Sequence, residues 1–514
     1  MTTASNMLVR SLVTYALVLP LALVLGYLLA TPLDFSTLAT VGLVCMVLCL
    51  PLVLKWHRPI LFLSWNLSAT MFFLPGRPEL WMGVAAASLT IAIIQRTLLQ
   101  QMRFIFAPSV TLPLLFLAAV VIGTGYLTGS FGLKAFGSKV MGAKSYLFIL
   151  AGIAGVFAMI AYRIPRQSAM LYTALFFLGS AANSIGMLAP YVPSWCYPIF
   201  LLFPVSFSDI QPLMSTGFET NTRLESINWV CSAITYYLLA RYGIKRMLQR
   251  GNILRLCLLI VVVALTLFGG YRGRLISLCM TFAFLFFFEG LFRSKYAFVI
   301  VAGCLLTGLL VVPFADKMPF PIQRSLSFLP VNVDPAAREE AERSSEWRVQ
   351  MWSMVIPEIP KYFWLGKGVG ISLQEMDIAE ASHQSVEDTE VANMLVGNYH
   401  NGPLSVLMNF GVWGAIGFLW FVATSLRALY INYRYGESYL KQVNTFVLAL
   451  FAAKVVMFLF VFGDFRLEFA QFTGLVGLNL ALNHGIRKPV RTKAQVSIPI
   501  RTREPLNLSP GMPS

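Results

Sequence analysis

The chain has 514 residues, 57% of them hydrophobic and only 12% charged, with a mean hydropathy of +0.71. A soluble domain is about one quarter charged, so this composition excludes an ordinary soluble enzyme and calls for lipid as the main solvent. The net charge of +16 is large enough to suggest nucleic acid, but the placement of the charges along the chain assigns it to membrane orientation instead.

A helix needs about 20 apolar residues to cross the hydrocarbon core, and runs of that kind predict about fourteen spans. They lie near 12–30, 37–54, 59–75, 78–94, 106–127, 145–162, 168–188, 227–240, 254–270, 275–291, 296–314, 402–426, 442–463 and 467–484. The first follows Arg10 and is expected to be retained as a span rather than removed as a signal peptide. The outer loop near 189–226 contains an apolar stretch at 195–205, interrupted by Pro198 and Pro204, which reads as a re-entrant or interfacial piece. The expected fold is all-α and polytopic. Residues 1–314 form the first eleven helices, 315–401 a long extracytoplasmic loop, 402–484 the last three helices, and 485–514 a basic tail.

With the N-terminus inside, 23 of the 39 Lys and Arg fall in inside loops and the tail, against three of the 23 acids: Glu289, Glu437 and Glu504. Orientation follows Lys and Arg near membrane ends, so both termini are expected in the cytoplasm. This account of the basic charge removes the case for nucleic acid. Seven cysteines, six within apolar segments and Cys196 alone in a loop, give no disulfide framework.

The long loop opens with a charged stretch at 334–354, where Glu339, Glu342 and Glu346 alternate with Arg338 and Arg343 at helical spacings. Pro357, Pro360 and a glycine run at 366–370 follow, the run reading as a flexible turn. Residues 385–388 resemble a capping box that opens a second helix.

Several chemistries are excluded by spacing. The glycine run is not a GxxxxGK[ST] phosphate loop, and no HExxH or paired CxxC points to zinc. His57 and His484 flank inside helix ends, and His383 lies in the polar loop. His400 differs, because it stands beside Asn401 where a helix opens on Gly402-Pro403. Arg272 and Arg274 sit in a tight outer turn, against the orientation rule, and Arg348 lies in the long loop. Guanidinium forks match phosphate oxygens, so an anion site competes here with simple snorkelling toward headgroups. Asp464, Arg466 and Glu468 occupy the last outer turn. Lys454 lies mid-helix, where a cation is paired, functional or snorkelling, and no role is assigned to it.

Three of these stretches resemble one family. The segment opening Tyr399-His-Asn-Gly-Pro-Leu resembles the His-Asn-x-x-Leu…Gly-x-x-Gly segment of the O-antigen ligase and Wzy-type polymerase superfamily. Gly270-Tyr-Arg-Gly-Arg is similar to that family's Ser-Arg-Gly turn, with Tyr271 in place of the Ser and a second Arg following. Arg348 to Trp352 and the run 365–370 resemble its Arg…Trp…Leu-Gly-x-Gly-x-Gly stretch.

The resemblance covers roughly residues 255–430 and implies a membrane glycosyltransferase without cofactor or obligatory metal. Such an enzyme moves a glycan from undecaprenyl diphosphate to a saccharide or lipid A-core acceptor at the periplasmic face of a bacterial inner membrane, alongside other polysaccharide-assembly proteins. It further implies His400 as general base, with Arg272 and Arg348 on the diphosphate. Arg274, Asn401, Asp464 and Arg466 are expected to line the same cavity. A single displacement would invert the anomeric centre. Ligase and polymerase both remain open, with a slight leaning to polymerase or exopolysaccharide synthesis. A protein O-oligosaccharyltransferase would share these residues. A transporter or flippase of lipid-linked or anionic solutes is the rival, although internal repeats and several deep charges are missing from the sequence.

Overall fold

The computed structural model describes residue 26 and residues 35–98, 104–132, 140–205, 225–249, 251–372 and 397–487. The rest of the first expected span, His383, the expected capping box and the tail beyond 487 lie outside the described residues. The described chain is overwhelmingly helical, and seven helices among the described residues are long and apolar enough to cross a membrane. The protein is an all-α polytopic membrane protein.

In chain order the helices are α1 (Phe35–Ser64), α2 (Leu80–Leu98), α3 (Pro108–Leu127), α4 (Ala143–Ile160), α5 (Ala169–Leu178), α6 (Glu225–Met247), α7 (Ile253–Thr266), α8 (Arg272–Phe288) and α9 (Lys295–Val311). The polar stretch that follows holds α10 (Phe320–Leu326) and α11 (Pro335–Val355). The chain then closes with α12 (Gly402–Tyr435), α13 (Lys441–Phe460) and α14 (Phe465–Asn483). Two short strands, Val140–Met141 and Ile371–Ser372, pair antiparallel and tie the polar stretch to the start of α4.

One expected loop is absent. The spans at 37–54 and 59–75 are expected to be separated at Lys55 and Arg58, yet α1 runs unbroken through the first and into the start of the second, ending at Ser64, with Pro51 and Pro59 inside it. The Arg58 charge is met by side chains rather than by a loop. Its guanidinium donates to Gln95 Oε1 at 3.0 Å and lies 3.8 Å from the Tyr162 ring centroid. The second half of the 59–75 span is an irregular hairpin, bridged at Thr70 and Glu79. The 195–205 stretch contributes one helical turn, Ile199–Leu202, and its Leu202 carbonyl accepts from the Thr70 backbone N–H at 2.7 Å.

The core gathers around α4 and the last three helices. Phe418, Phe458, Phe465 and Phe472 are buried together, with ring centroids 4.9 to 5.9 Å apart. In lipid such packing, rather than escape from water, holds helices together. At the end of the bundle away from Gly402, Asn432, Asn444, Asn479 and Asn483 are fully buried and bond to one another. Asn432 Nδ2 donates to Asn479 Oδ1 at 2.7 Å, and Asn444 Nδ2 donates to Asn483 Oδ1 at 2.9 Å. Four satisfied amides in an apolar bundle fix the register of α12, α13 and α14.

α12 is not continuous. Gly411 is non-helical, at φ 64° and ψ −165°, which splits a short first segment, 402–410, from the long second one. The glycine run of the polar stretch fills this break. The backbone N–H groups of Lys367 and Gly368 donate to the carbonyls of Met408 and Asn409 at 2.7 and 3.0 Å. The Val412 N–H in turn donates to the Phe363 carbonyl at 2.7 Å. Backbone groups freed by the break are thereby satisfied, as a membrane interior demands. The run expected as a flexible turn is therefore a packed plug.

Gly366 is left-handed at φ 83°, and a Cβ there would overlap the Asn409 carbonyl. Gly366→Ala incurs a left-handed strain of roughly 1–2 kcal/mol and an overpacking cost of roughly 1–3 kcal/mol. Thermal unfolding of the detergent-solubilised variant should show a clearly lowered midpoint. A midpoint equal to wild type would show that the plug is not rigid.

Candidate active site

The site is built where α8, α11 and the start of α12 meet. Gly270 takes the left-handed conformation, φ 68° and ψ 13°, and Tyr271 is extended, so the chain reverses sharply into α8 with Arg272 in its first turn. Arg324 of α10 secures that reversal. It is 8% exposed, donates to the Gly270 carbonyl at 3.0 Å, and lies 3.2 Å from Glu340 of α11. Arg272 then reaches α11, donating to the Ala341 carbonyl and, at 3.1 Å, to the Ser345 hydroxyl.

α11 forms because Asp334 caps it, accepting from the Ala336 N–H at 2.8 Å, and Pro335 occupies its first turn. Ala337, Ala341, Met351 and Val355 give it a buried face. The helix carries Trp347, Arg348 and Trp352 toward α12. Trp352 Nε1 donates to the Tyr399 carbonyl at 2.8 Å, which fixes the residue just before His400. The Arg348 guanidinium lies 5.5 Å from the Phe462 ring centroid. Burial, and then the nearby Arg272 charge, lower its proton affinity, but from so high a value that it stays ionised.

His400 is one of three non-glycine residues with positive φ among the described residues, at 50°. Its ring is packed edge-on against Trp347, centroids 5.4 Å apart at 74°, and tilted against Phe462 at 5.1 Å and 32°. Its Nδ1 is buried without a hydrogen-bond partner, as is the Nε of Arg348. Burial first, and the Arg348 charge second, lower the imidazole pKa to about 4, so the ring is neutral at physiological pH. A neutral imidazole with an unused nitrogen beside the Arg348 cation is equipped to accept a proton next to an anion. Backbone strain of this kind marks functional sites.

The other candidate residues are placed elsewhere. Arg274 follows Arg272 by two residues, which on a helix is a turn of about 200°, and its guanidinium packs 4.3 Å from the Trp229 centroid of α6. Asn401 caps α12, its Oδ1 accepting from the Leu404 N–H at 3.1 Å. Asp464 caps α14 in the same way, accepting from the Arg466 N–H at 2.8 Å. Burial pushes the Asp464 carboxyl up, and the Arg466 guanidinium opposes that rise. Arg466 faces Phe148 of α4 at 5.4 Å, and Lys454 is paired with Glu468 at 3.4 Å and with Gln471. Arg272 thus lies near Arg348 and Arg348 near His400, while the Arg274 and Arg466 guanidiniums rest on the Trp229 and Phe148 rings.

Two residues were missed by the sequence reading. Phe462 packs against both His400 and Arg348, and Arg324 pins the turn that aims Arg272. Phe462 adjoins the Gly463-Asp464 turn, which was its one available signal. Arg324 stands in a short apolar context at the mouth of the polar stretch, where no helix-length pattern flags it.

The family model described as O-antigen ligase matches residues 256–419. No curated protein matches the chain. The matched segment contains α8, α11 and the first segment of α12, and so carries Arg272, Arg348 and His400. The chain is a multi-pass membrane protein whose residues 256–419 are similar to the O-antigen ligase family, a family of polysaccharide-related membrane glycosyltransferases.

Proposed function

We propose that the protein is an inverting, metal-independent glycosyltransferase that moves a glycan from undecaprenyl diphosphate to a saccharide hydroxyl. The reaction is assigned to the extracytoplasmic face of a bacterial inner membrane, with both termini inside, following the Lys and Arg distribution. The observation that carries the reading is a half-buried Arg348 guanidinium, itself close to Arg272, set beside a neutral histidine whose Nδ1 is buried without a partner.

His400 takes the acceptor hydroxyl proton as its oxygen attacks the anomeric carbon from the face opposite the diphosphate. The glycosidic C–O bond to the diphosphate breaks, its electron pair leaves on the phosphate oxygen, and Arg272 and Arg348 stabilise that charge. Two guanidiniums supply the positive charge that a metal would otherwise bring. Arrival of the diphosphate also offsets the Arg348 charge that depresses the His400 pKa, so the base strengthens once donor is bound. The acceptor is taken to be the next saccharide unit, which makes the protein polymerase-like rather than a lipid A-core ligase.

The test uses the full chain in nanodiscs, supplied with an undecaprenyl-diphosphate oligosaccharide, a saccharide acceptor and a chelator. The expected result is one free undecaprenyl diphosphate for each new glycosidic bond, with lengthened glycan. Movement of intact lipid-linked glycan across vesicles without a new bond would replace this reading with transport.

A further inference from the structure

A second polar recess lies about one helical turn below Arg272, on the opposite side of α8. Its walls are Ser232, Thr235 and Tyr236 of α6, Thr266 of α7, and Arg274, Ser277 and the apolar Leu278 of α8. It admits little more than a water-sized group.

Three observations separate this recess from a packing defect. Arg274 has no carboxylate partner among the described residues; its guanidinium rests only on the Trp229 ring. A lone cation on a helix that enters the membrane is costly unless something anionic meets it. Next, Thr235 is 1% exposed, faces the recess, and its hydroxyl has no partner. Its neighbours do the usual thing: Thr266 and Thr281 donate back to the Val262 and Ser277 carbonyls at 2.9 and 2.8 Å. Finally, Asn228 is equally buried one turn above Ser232. Its Oδ1 accepts from Ser232 at 3.3 Å while its Nδ2 remains unused.

We propose that this recess is an anion site that takes a phosphate oxygen, with Arg274 supplying the charge and the Thr235 hydroxyl donating. Phosphate fits because a guanidinium beside a hydroxyl donor matches its oxygens. The narrow recess admits one oxygen and leaves the rest of the group at the mouth. A phospholipid headgroup in the outer leaflet and free phosphate share this chemistry. The recess is distinct from the Arg272–Arg348–His400 group and stands whether or not that group is catalytic.

The experiment follows thermal unfolding of the full chain in nanodiscs. One arm compares pure phosphatidylcholine with mixtures of rising phosphatidylglycerol content, and the other adds inorganic phosphate to phosphatidylcholine discs. Stabilisation by phosphatidylglycerol identifies a lipid headgroup, and stabilisation by phosphate alone identifies the free ion. In either case Arg274→Gln and the near-isosteric Thr235→Val should raise the concentration needed for half the shift by about tenfold, the loss of one charge-assisted hydrogen bond. An equal shift in wild type and both variants, or no shift in either arm, would overturn the proposal. An effect of Arg274→Gln with none of Thr235→Val would also overturn it, because that is the behaviour of a snorkelling arginine.

Discussion

His400→Asn is expected to reduce glycan transfer by about a thousandfold, in the middle of the range for loss of a general base, while leaving membrane abundance unchanged. Asparagine tolerates the left-handed backbone at φ 50°, so the substitution removes the imidazole without adding backbone strain. In the native host, undecaprenyl-linked precursor should accumulate as long glycan disappears. Normal glycan would remove His400 from the mechanism.

The pH dependence sharpens the test. Base catalysis needs the neutral ring, and the free protein holds its pKa at about 4 rather than 6.5. The ratio kcat/KM, which reports the free enzyme, should stay flat as pH falls through 6.5 and decline only toward about 4. The rate kcat reports the donor complex, where the diphosphate opposes Arg348, so its acid limb should lie at higher pH. The stability linkage has a definite sign. The unfolded histidine takes up its proton near 6.5 and the folded one near 4. The contribution is therefore complete above pH 6.5 and is lost as pH falls from 6.5 toward 4. Coincident acid limbs for kcat and kcat/KM would show that the donor does not sit against Arg348.

These residues differ in how far the sequence exposed them. Arg272 and His400 stood out because each is polar at a membrane boundary, where apolar surroundings make a charge conspicuous. Phe462 did not, since one aromatic among 40 phenylalanines carries no mark until its ring is seen against both an imidazole and a guanidinium. The divergence of Arg274 from Arg272 follows from the helical period. It was overlooked because residues 271–274 were read as a turn, whereas α8 begins at Arg272. The glycine run was misread for a related reason. Its partner is the break at Gly411, some forty residues away, and local composition cannot distinguish a glycine that bends freely from one that admits a foreign carbonyl. The fused α1 shows the limit of charge counting. An arginine that finds a glutamine and a tyrosine on neighbouring helices does not need a loop.

Arg348→Gln is the second large effect, and it reads two properties at once. Removing one donor that stabilises a developing anion costs on the order of a hundred- to a thousandfold in rate, and that loss is expected here. The Arg348 charge also helps to hold the His400 pKa down, second to burial. The residual activity of Arg348→Gln should therefore show an acid limb at higher pH than wild type. Arg348→Lys separates the two roles. The ammonium restores the charge, so the limb should return toward the wild-type position. It cannot offer the planar fork to two phosphate oxygens, so the rate should recover only in part. A mere packing role for Arg348 predicts that neither substitution moves the limb. If the limb is unmoved in Arg348→Gln while activity is lost, the arginine and the histidine work on different atoms without sensing each other, and the single-site mechanism fails.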